Sequence, residues 1–373
     1  MTESAVPDHP TDAALSAVVL AAGEGSRMRS ERPKPLHRLC GRPMLLYVLD
    51  ALAEVDARRA VIVVGHKGEW VTKKMQEHLL SIELDFAEQR VQRGTGDATM
   101  VGLVGLPEDD EDGEDGDVIV LPGDTPLLRS STMAALVQQH RSSGAAATLL
   151  TAEMDDPSGY GRIIRSGDGA VRRIVEQADA DDDELGVREV NTGIYCFRRS
   201  FLAPALRRVE PDNSQGEYYL TDVVEVLVGA GHHVGAMVGS STESMGVNDR
   251  LQLAAAEAEL RRRTNGRLLA TGVTMVDPAA TYVDTTVTLG RDVTLFPGVI
   301  LQGDTVVGDG TELGPGCRLV DTVVGADCVL SDTVADGARI GDRCHVGPFA
   351  HLGPGAELAS DTTTGAFYTP DGS

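Results

Sequence analysis

VTLGRDVTLFPGVILQGDTVVGDGTELGPGCRLV, Val287–Val320, places an apolar residue at every sixth position: Leu289, Leu295, Leu301, Val307, Leu313 and Leu319. Glycine follows three of them directly, at Gly290, Gly308 and Gly314. A six-residue period with small residues at the corners is the signature of a parallel β-helix. After a one-residue slip the pattern resumes at Val324 and Leu330, weakens near Asp336, and returns at Ile340, Val346, Leu352 and Leu358. Chance strands separated by glycine turns would not hold one period over so many hexads. Such coils leave their ends unpaired and their flat faces partly apolar, so self-association is expected. Beyond Leu358 the period dissolves into a polar tail, residues 359–373.

Upstream of the repeats, Asp249–Leu269 is rich in Ala, Leu, Glu and Arg and reads as one helix, with a glycine break at Gly266. Residues 249–271 are therefore a linker helix. Before it the period changes again. Ser16–Leu20, Ala60–Val64 and Val118–Leu121 are short, nearly continuous apolar runs, as expected for parallel strands buried on both faces. Helical stretches such as Met44–Val55 and Thr132–Arg141 lie between them. This alternation implies an α/β, doubly wound, mostly parallel sheet over residues 16–248, with ligands collected beyond the carboxyl ends of the strands. Residues 1–15 read as a flexible tail, and the acidic stretches Glu108–Asp117 and Asp179–Glu184 as solvated loops.

Composition narrows the function. The 373 residues carry a formal charge of −24 and a charged fraction of 24%, which describes a globular protein unsuited to a nucleic-acid partner. Only four lysines exist, Lys34, Lys67, Lys73 and Lys74, so any phosphate site must concentrate scarce cations against a repulsive field. The five cysteines form no CxxC pair and suggest buried, reduced thiols rather than zinc or disulfides. The apolar run Ala13–Ala22 follows acidic rather than basic residues and reads as a first strand, with no membrane segment and a cytoplasmic location expected.

Directly after that strand comes LAAGEGSRMRSERPKPLH, Leu20–His37. Its Gly23-Glu24-Gly25 lacks the third glycine of a dinucleotide fingerprint, since Met28 stands there. What remains is a glycine-rich turn followed by Arg27 and Lys34. Bare loop amides can wrap a triphosphate where Cβ atoms would obstruct. An arginine can fork onto its oxygens, and a lysine supplies a compact charge near the α-phosphate. A glycine turn with solvated basic residues is the alternative.

The same stretch resembles the signature of the sugar-nucleotide pyrophosphorylases, specifically the N-terminal half of the bifunctional GlmU family. The resemblance continues in order through GTGDA (Gly94–Ala98), PGDTPLL (Pro122–Leu128), GYGRIIR (Gly159–Arg165), IVEQADA (Ile174–Ala180), EVNTGIY (Glu189–Tyr195), QGEYYLTD (Gln215–Asp222) and GVNDRLQLA (Gly246–Ala254). It implies a Rossmann-like nucleotidyltransferase sheet and a left-handed β-helix. The implied reaction joins UTP and N-acetylglucosamine 1-phosphate to give UDP-N-acetylglucosamine and pyrophosphate. In the implied site Arg27 and Lys34 are catalytic, and Mg²⁺ is held by Asp124 and Asn248. Leu20, Ala22, Gly23, Gln89, Gly94 and Thr95 bind the nucleotide, and Gly161, Glu176, Asn191 and Thr192 the sugar. Without the resemblance, Asn248 would be a helix N-cap and Asp124 a turn former. Assembly as a homotrimer is implied as well.

Departures from the family pattern are local. Ser26 replaces a threonine, and Asp97 replaces the histidine common after GTG, adding negative charge near the nucleotide. The repeats stop before the coils that carry the family's acetyltransferase residues, so no acetyltransferase activity is expected. His351 does not occupy the family's catalytic position. Two other readings compete: the same chemistry on another sugar 1-phosphate, and a non-catalytic scaffold built on the repeats. Loss of Arg27, Lys34, Asp124 or Asn248 would have favoured the scaffold, and all four are present.

Overall fold

In the computed structural model, residues 13–106 and 115–370 are described. The chain divides into two compact units, one of residues 1–37 and 43–252, the other of residues 38–42 and 253–373.

The first unit is built on a nine-stranded sheet. Its strands are β1 (Leu15–Ala21), β2 (Arg59–Val64), β3 (Glu83–Glu88), β4 (Asp117–Pro122), β5 (Ala147–Glu153), β6 (Arg162–Arg165), β7 (Val171–Val175), β8 (Glu189–Arg198) and β9 (Val234–Gly239). The spatial order is β9-β5-β8-β4-β1-β2-β3, and β6 and β7 form a hairpin attached to β8. Pairing is parallel except that β8 runs antiparallel to β4, β5 and β6, and β6 antiparallel to β7. Alternate residues of β1 feed different cores. Ala17 and Val19 pack with helices α1 (Met44–Ala53), α2 (Gly68–Gln76) and, through Met133 and Leu136, the helix Ser130–Ser143. Val18 faces the opposite side, with Ala98 and Leu103 of α3 (Thr95–Val104) and Val223 and Leu227 of the helix Asp222–Gly229. Burial on both faces is why these strands read as unbroken apolar runs.

Several sequence expectations shift at their edges. The first strand starts inside the expected tail: Leu15 belongs to β1, and Ala13 is buried, its carbonyl accepting from Arg141 Nη2 at 2.5 Å. Residues 1–12 lie outside the described residues. Asp117 is no solvated residue; it is buried at the head of β4 and pairs with Arg141 Nε at 2.7 Å. Residues 108–114 of that acidic stretch also lie outside the described residues. Asp179–Glu184 is ordered by local bonds. Asp179 accepts from the Ser214 amide at 2.8 Å, and Asp181 and Glu184 form a reciprocal capping box on the short helix Asp182–Leu185.

The second unit stacks fifteen short strands into three parallel sheets of five, the coil expected from the hexads and consistent with its left-handed form. Leu295, Leu313, Leu330 and Val346 stand in register on one sheet, Leu301, Leu319, Ala335 and Leu352 on the next, and Val307, Val324, Ile340 and Leu358 on the third. Ala335 takes the inward place where the pattern weakens. Corner residues satisfy backbone groups of the next coil. Buried Thr311 donates to Gly325 O at 2.9 Å and accepts from the Cys328 amide at 3.1 Å. Cys328 in turn accepts from the Cys344 amide at 3.4 Å. All five cysteines are free and buried.

One expectation about this unit is corrected. The helix Arg250–Ala270 runs through Gly266 without a break. One interior glycine costs about 1 kcal/mol relative to alanine, and neighbouring Asn265 anchors the helix by donating to Pro278 O and Thr281 O at 2.8 and 3.0 Å. The polar segment after Leu358 docks on the preceding coil. The amides of His345 and His351 donate to Thr362 O and Tyr368 O, both at 2.9 Å, and Thr363 bridges to His345, extending the stack by part of a coil. Residues 38–42 join this unit through Cys40, whose amide donates to Glu257 Oε2 at 2.8 Å and whose carbonyl accepts from the Thr285 amide at 3.2 Å. Among the described residues no helix is long and apolar enough to cross a membrane.

The corner bonds are testable. Thr311→Val keeps the shape and leaves the buried Cys328 amide without its acceptor. It should cost about 1–3 kcal/mol, read as faster hydrogen–deuterium exchange across residues 323–330.

Candidate active site

Beyond the carboxyl ends of β1 and β4 lies a cavity of about 350 Å³, lined by segments distant in sequence, from Leu20 to Thr221. Lys34 is one of its lining residues. The residue sits on a single 3-10 turn, Lys34–Leu36, entered through Pro33. Its aliphatic stem packs against Gly25, where a Cβ would come within 2.8 Å of Lys34 Cβ, and Gly25 holds a φ of 63°. Glycine is therefore required at that turn for steric and conformational reasons together. The ammonium is ion-paired with Asp124 Oδ2 and donates to Asn248 Oδ1 at 2.8 Å.

Asp124 follows β4 in the tight turn Pro122–Thr125, in which Thr125 Oγ1 donates to Pro122 O at 3.1 Å. Asn248 reaches the same point because the Val247 amide donates to Asp124 O at 2.9 Å. The expected alternative role of Asn248, the helix cap, is performed by its neighbour. Asp249 Oδ1 accepts from the Gln252 amide at 2.9 Å, while Gln252 Oε1 accepts from the Asn248 amide at 2.7 Å. That division of labour leaves the Asn248 side chain free to face the cavity rim.

Two protein oxygens converging on one cation suit a hard divalent ion that completes its shell with waters and phosphates. Among the described residues no group of three or more His, Cys, Asp or Glu side chains could hold a metal without such help. The donor set fits an ion that arrives with a phosphate ligand.

A second wall is formed where Gly94–Ala98 meets Glu217–Thr221. Gly94 has a φ of 106°, and a Cβ there would lie 2.5 Å from Tyr218 O. The Gly96 amide donates to that carbonyl at 2.7 Å, and Thr95 Oγ1 accepts from the Leu220 amide at 3.0 Å. Buried Gln89 donates from Nε2 to Asp97 Oδ2 at 2.8 Å and to Gly94 O at 3.2 Å. Asp97 also pairs with Arg93 at 2.7 Å, so the charge it brings in place of histidine is largely matched.

The third wall comes from β7 and β8. A register shift between Asn191 and Ile194, with Gly193 at a φ of 77°, bulges β8. Asn191 accepts from the Gly193 amide at 3.1 Å and donates to the Tyr195 hydroxyl at 2.7 Å. Opposite it, Glu176 accepts from Thr221 Oγ1 at 3.2 Å. Burial, with Asp179 nearby, raises the Glu176 carboxyl above its ordinary range despite that bond. Asp222 is pushed to about 6 by burial first, then by Glu176, Glu225 and Asp179.

Ten of the fourteen site residues expected from the sequence line this cavity: Leu20, Ala22, Gly23, Lys34, Gln89, Gly94, Thr95, Asp124, Glu176 and Asn191. Asn248 joins through Lys34. Gly161 stands behind Glu176, its carbonyl accepting from the Asn191 amide at 2.9 Å. Thr192 is buried and donates to Leu150 O at 2.6 Å, so its hydroxyl serves the bulge and not the cavity. Arg27 is exposed on the turn Ser26–Met28 and outside the lining. The sequence reading missed Gln92, which lines the cavity and donates to Ala22 O at 2.7 Å, and Tyr195. Neither carries a spacing signal. It also missed Tyr160, held beside Asp124 and Gly246; burial and then Asp124 raise its hydroxyl.

The acidic pair beside the cavity predicts a pH effect. Because the folded-state value of Asp222 lies above its ordinary 3.8, the ionised carboxylate opposes folding fully above about pH 6 and not below the ordinary carboxylate range. Asp222→Asn should therefore raise Tm relative to the parent at pH 7.5, and the difference should shrink as pH falls from 6 to 4. Paired thermal melts across that window measure it.

Comparison with known proteins agrees with this geometry. The nucleotidyl transferase family matches residues 16–254. The bifunctional GlmU protein of Caldanaerobacter subterraneus is 44% identical over 333 residues, 88% of this chain and 70% of that protein. Those of Thermobifida fusca and Streptomyces coelicolor are each 48% identical, over 87% of this chain and 66% of their own. The chain thus spans about two thirds of the length of these relatives. A Bacillus anthracis structure described as a glucose-1-phosphate thymidylyltransferase shares the fold at a TM-score of 0.52 and 20% identity, covering 66% of this chain and 95% of that one. By its matched residues and its similarity through both units, the chain belongs to the nucleotidyl transferase family and, within it, to the GlmU proteins.

Proposed function

We propose that the chain is a Mg²⁺-dependent uridylyltransferase that joins UTP to N-acetylglucosamine 1-phosphate and releases pyrophosphate. The observation that carries this reading is the convergence of Asp124 and Asn248 oxygens on the Lys34 ammonium, beside a cavity of about 350 Å³ lined by Gln89, Gly94 and Thr95 on one side and by Glu176 and Asn191 on another.

The sugar phosphate oxygen attacks the α-phosphorus of UTP in line, a bond to the β-phosphate oxygen breaks, and pyrophosphate leaves. Lys34 neutralises charge on the α-phosphoryl group as it becomes five-coordinate. Asp124 and Asn248 would hold Mg²⁺, which supplies Lewis-acid stabilisation to the same oxygens. Arg27 makes no hydrogen bond or ion pair among the described residues and is proposed to meet the leaving pyrophosphate outside the cavity. Gln89, Gly94 and Thr95 take the base, with Leu20, Ala22 and Gly23 along the ribose and phosphates. Glu176 and Asn191 read the sugar hydroxyls and acetamido group, supported from behind by Gly161 and Thr192. Both reactants are anions, and no side chain needs to remove a proton.

Pyrophosphate release, crossing UTP, dTTP, ATP and GTP with N-acetylglucosamine 1-phosphate and glucose 1-phosphate, tests the proposal. Turnover is expected with UTP and the N-acetylated sugar, abolished by EDTA. Asp124→Ala should lower kcat/KM by about 10²-fold or more, the scale set by losing one transition-state electrostatic contact. Turnover with a different pair keeps the chemistry and changes the substrate, whereas a folded chain silent with every pair favours the scaffold reading. Trimerisation through the second unit belongs to the same proposal. Outward-facing Val306 and Val323, in register on one sheet and 39% and 38% exposed, offer an apolar face for it. Sedimentation as a monomer at micromolar concentration would exclude it.

A further inference from the structure

We infer that Asp97 is a positioning residue that sets the choice of base, by locking the Gln89 amide with its carbonyl oxygen toward the nucleotide. The inference rests on the proposed function only for the identity of the nucleotide.

Orientation of a glutamine amide is decided by its partners. One end of the Gln89 amide lies 2.8 Å from Asp97 Oδ2 and 3.2 Å from Gly94 O. Both partners are acceptors, a carboxylate and a carbonyl, so that end has to be the NH₂ group with its two donors. The reversed amide would face two acceptors with a third. Gln89 Oε1 therefore points away from them. It accepts no hydrogen bond among the described residues, it is not among the buried unpartnered atoms, and its residue lines the cavity.

The lock is strong for two reasons. Gln89 is only 6% exposed, and its backbone N–H donates to Val64 O at 2.8 Å, so backbone and side chain are both fixed. The bond to Asp97 is charge-assisted, which makes it about twice as strong as a neutral one. Asp97 is itself held at its second oxygen by Arg93, 2.7 Å away, and by its place in the first turn of α3.

A fixed carbonyl oxygen selects a base by hydrogen-bond polarity. Uracil carries a donor at N3–H and satisfies it. Cytosine presents a bare N3 lone pair at the same position and leaves two acceptors facing each other. A site built for one hydrogen-bond pattern rejects its complement far better than an apolar pocket rejects a size variant. Removing Asp97 leaves only the weaker bond to Gly94 O, and the amide can then turn to offer its NH₂ to cytosine.

The test compares UTP with CTP, as kcat/KM ratios and as equilibrium binding by calorimetry, in the parent chain and in variants. Asp97→Ala should lower the UTP:CTP ratio about tenfold, mostly by improving CTP, the scale expected when one charge-assisted bond ceases to fix the amide. Asp97→Asn should lie between, because its single carbonyl oxygen is contested by Gln89 and Arg93. Adding Arg93→Ala to Asp97→Asn should restore the ratio, since that oxygen then serves Gln89 alone. A merely structural Asp97 would move Tm and leave the ratio where it was. Equal ratios in the parent and in Asp97→Ala overturn the inference, as does a parent chain that binds neither nucleotide. A chain that binds UTP more tightly than CTP yet releases no pyrophosphate keeps the inference and loses the proposed reaction.

Discussion

One ammonium group ties together three distant stretches of chain. Lys34 meets Asp124 and Asn248, the latter 214 residues away in sequence, in a molecule whose net charge of −24 leaves few cations to spare. The contact is partly shielded, with side-chain exposures of 14% for Lys34 and 18% for Asp124, so its attraction is screened less than that of a surface pair. Everything else in the first unit delivers these three residues to one point. The parallel strands end together, the glycine turn admits the lysine stem, and the Val247–Asp124 backbone bond brings in the amide. The oxygens that satisfy the ammonium are also the type a hard divalent ion takes, so the pair of acceptors is not left uncompensated.

Around that point the walls are made by backbone as much as by side chains. Gly94 and Gly96 come close to Tyr218 O, and a Cβ at either would lie only 2.5 or 2.9 Å from it, so both approaches call for glycine. The result is a clasp between two motifs more than a hundred residues apart, in which the Gly96 amide donates to the Tyr218 carbonyl and the Leu220 amide to the Thr95 hydroxyl. Side-chain identity then matters in a few places: Gln89, Asn191 and Glu176, each held by a neighbour that does not itself need to touch a ligand.

How much of this could be read from the residues depended on the kind of signal. Strands buried on both faces, such as Val118–Leu121, announce themselves by composition, and the hexads by period. The position of Lys34 was legible because lysine is rare here and the motif order is specific. Other features leave no local trace. Residues 38–42 join the second unit through a glutamate on a helix 217 positions later and a backbone amide further on, at Thr285. Gln92 is a single residue in a loop, placed by the fold alone, and Tyr160 sits inside a matching motif without any signal of its own. Thr192 and Arg27 lie in matching motifs but outside the cavity lining. A matching motif marks the neighbourhood, but the bulge in β8 turns one side chain inward to Leu150, and the 3-10 turn leaves the other in solvent. The cap at Asp249 rather than Asn248 is a one-residue ambiguity that helix-start rules cannot resolve, since both residue types are favoured caps.

The coils of the second unit are not equal in length. Leu295, Leu313, Leu330 and Val346 stack directly, although the steps between them are eighteen, seventeen and sixteen residues. The interior keeps its register while the corners absorb the difference. Over evolutionary time, then, insertions and deletions are free to drift at the corners and are forbidden between them. A fixed ruler laid along such a chain loses its place after two turns, whereas a count of inward side chains does not. The repeat is better regarded as a sequence of interior positions than as a number of residues, and related chains should be aligned on those positions.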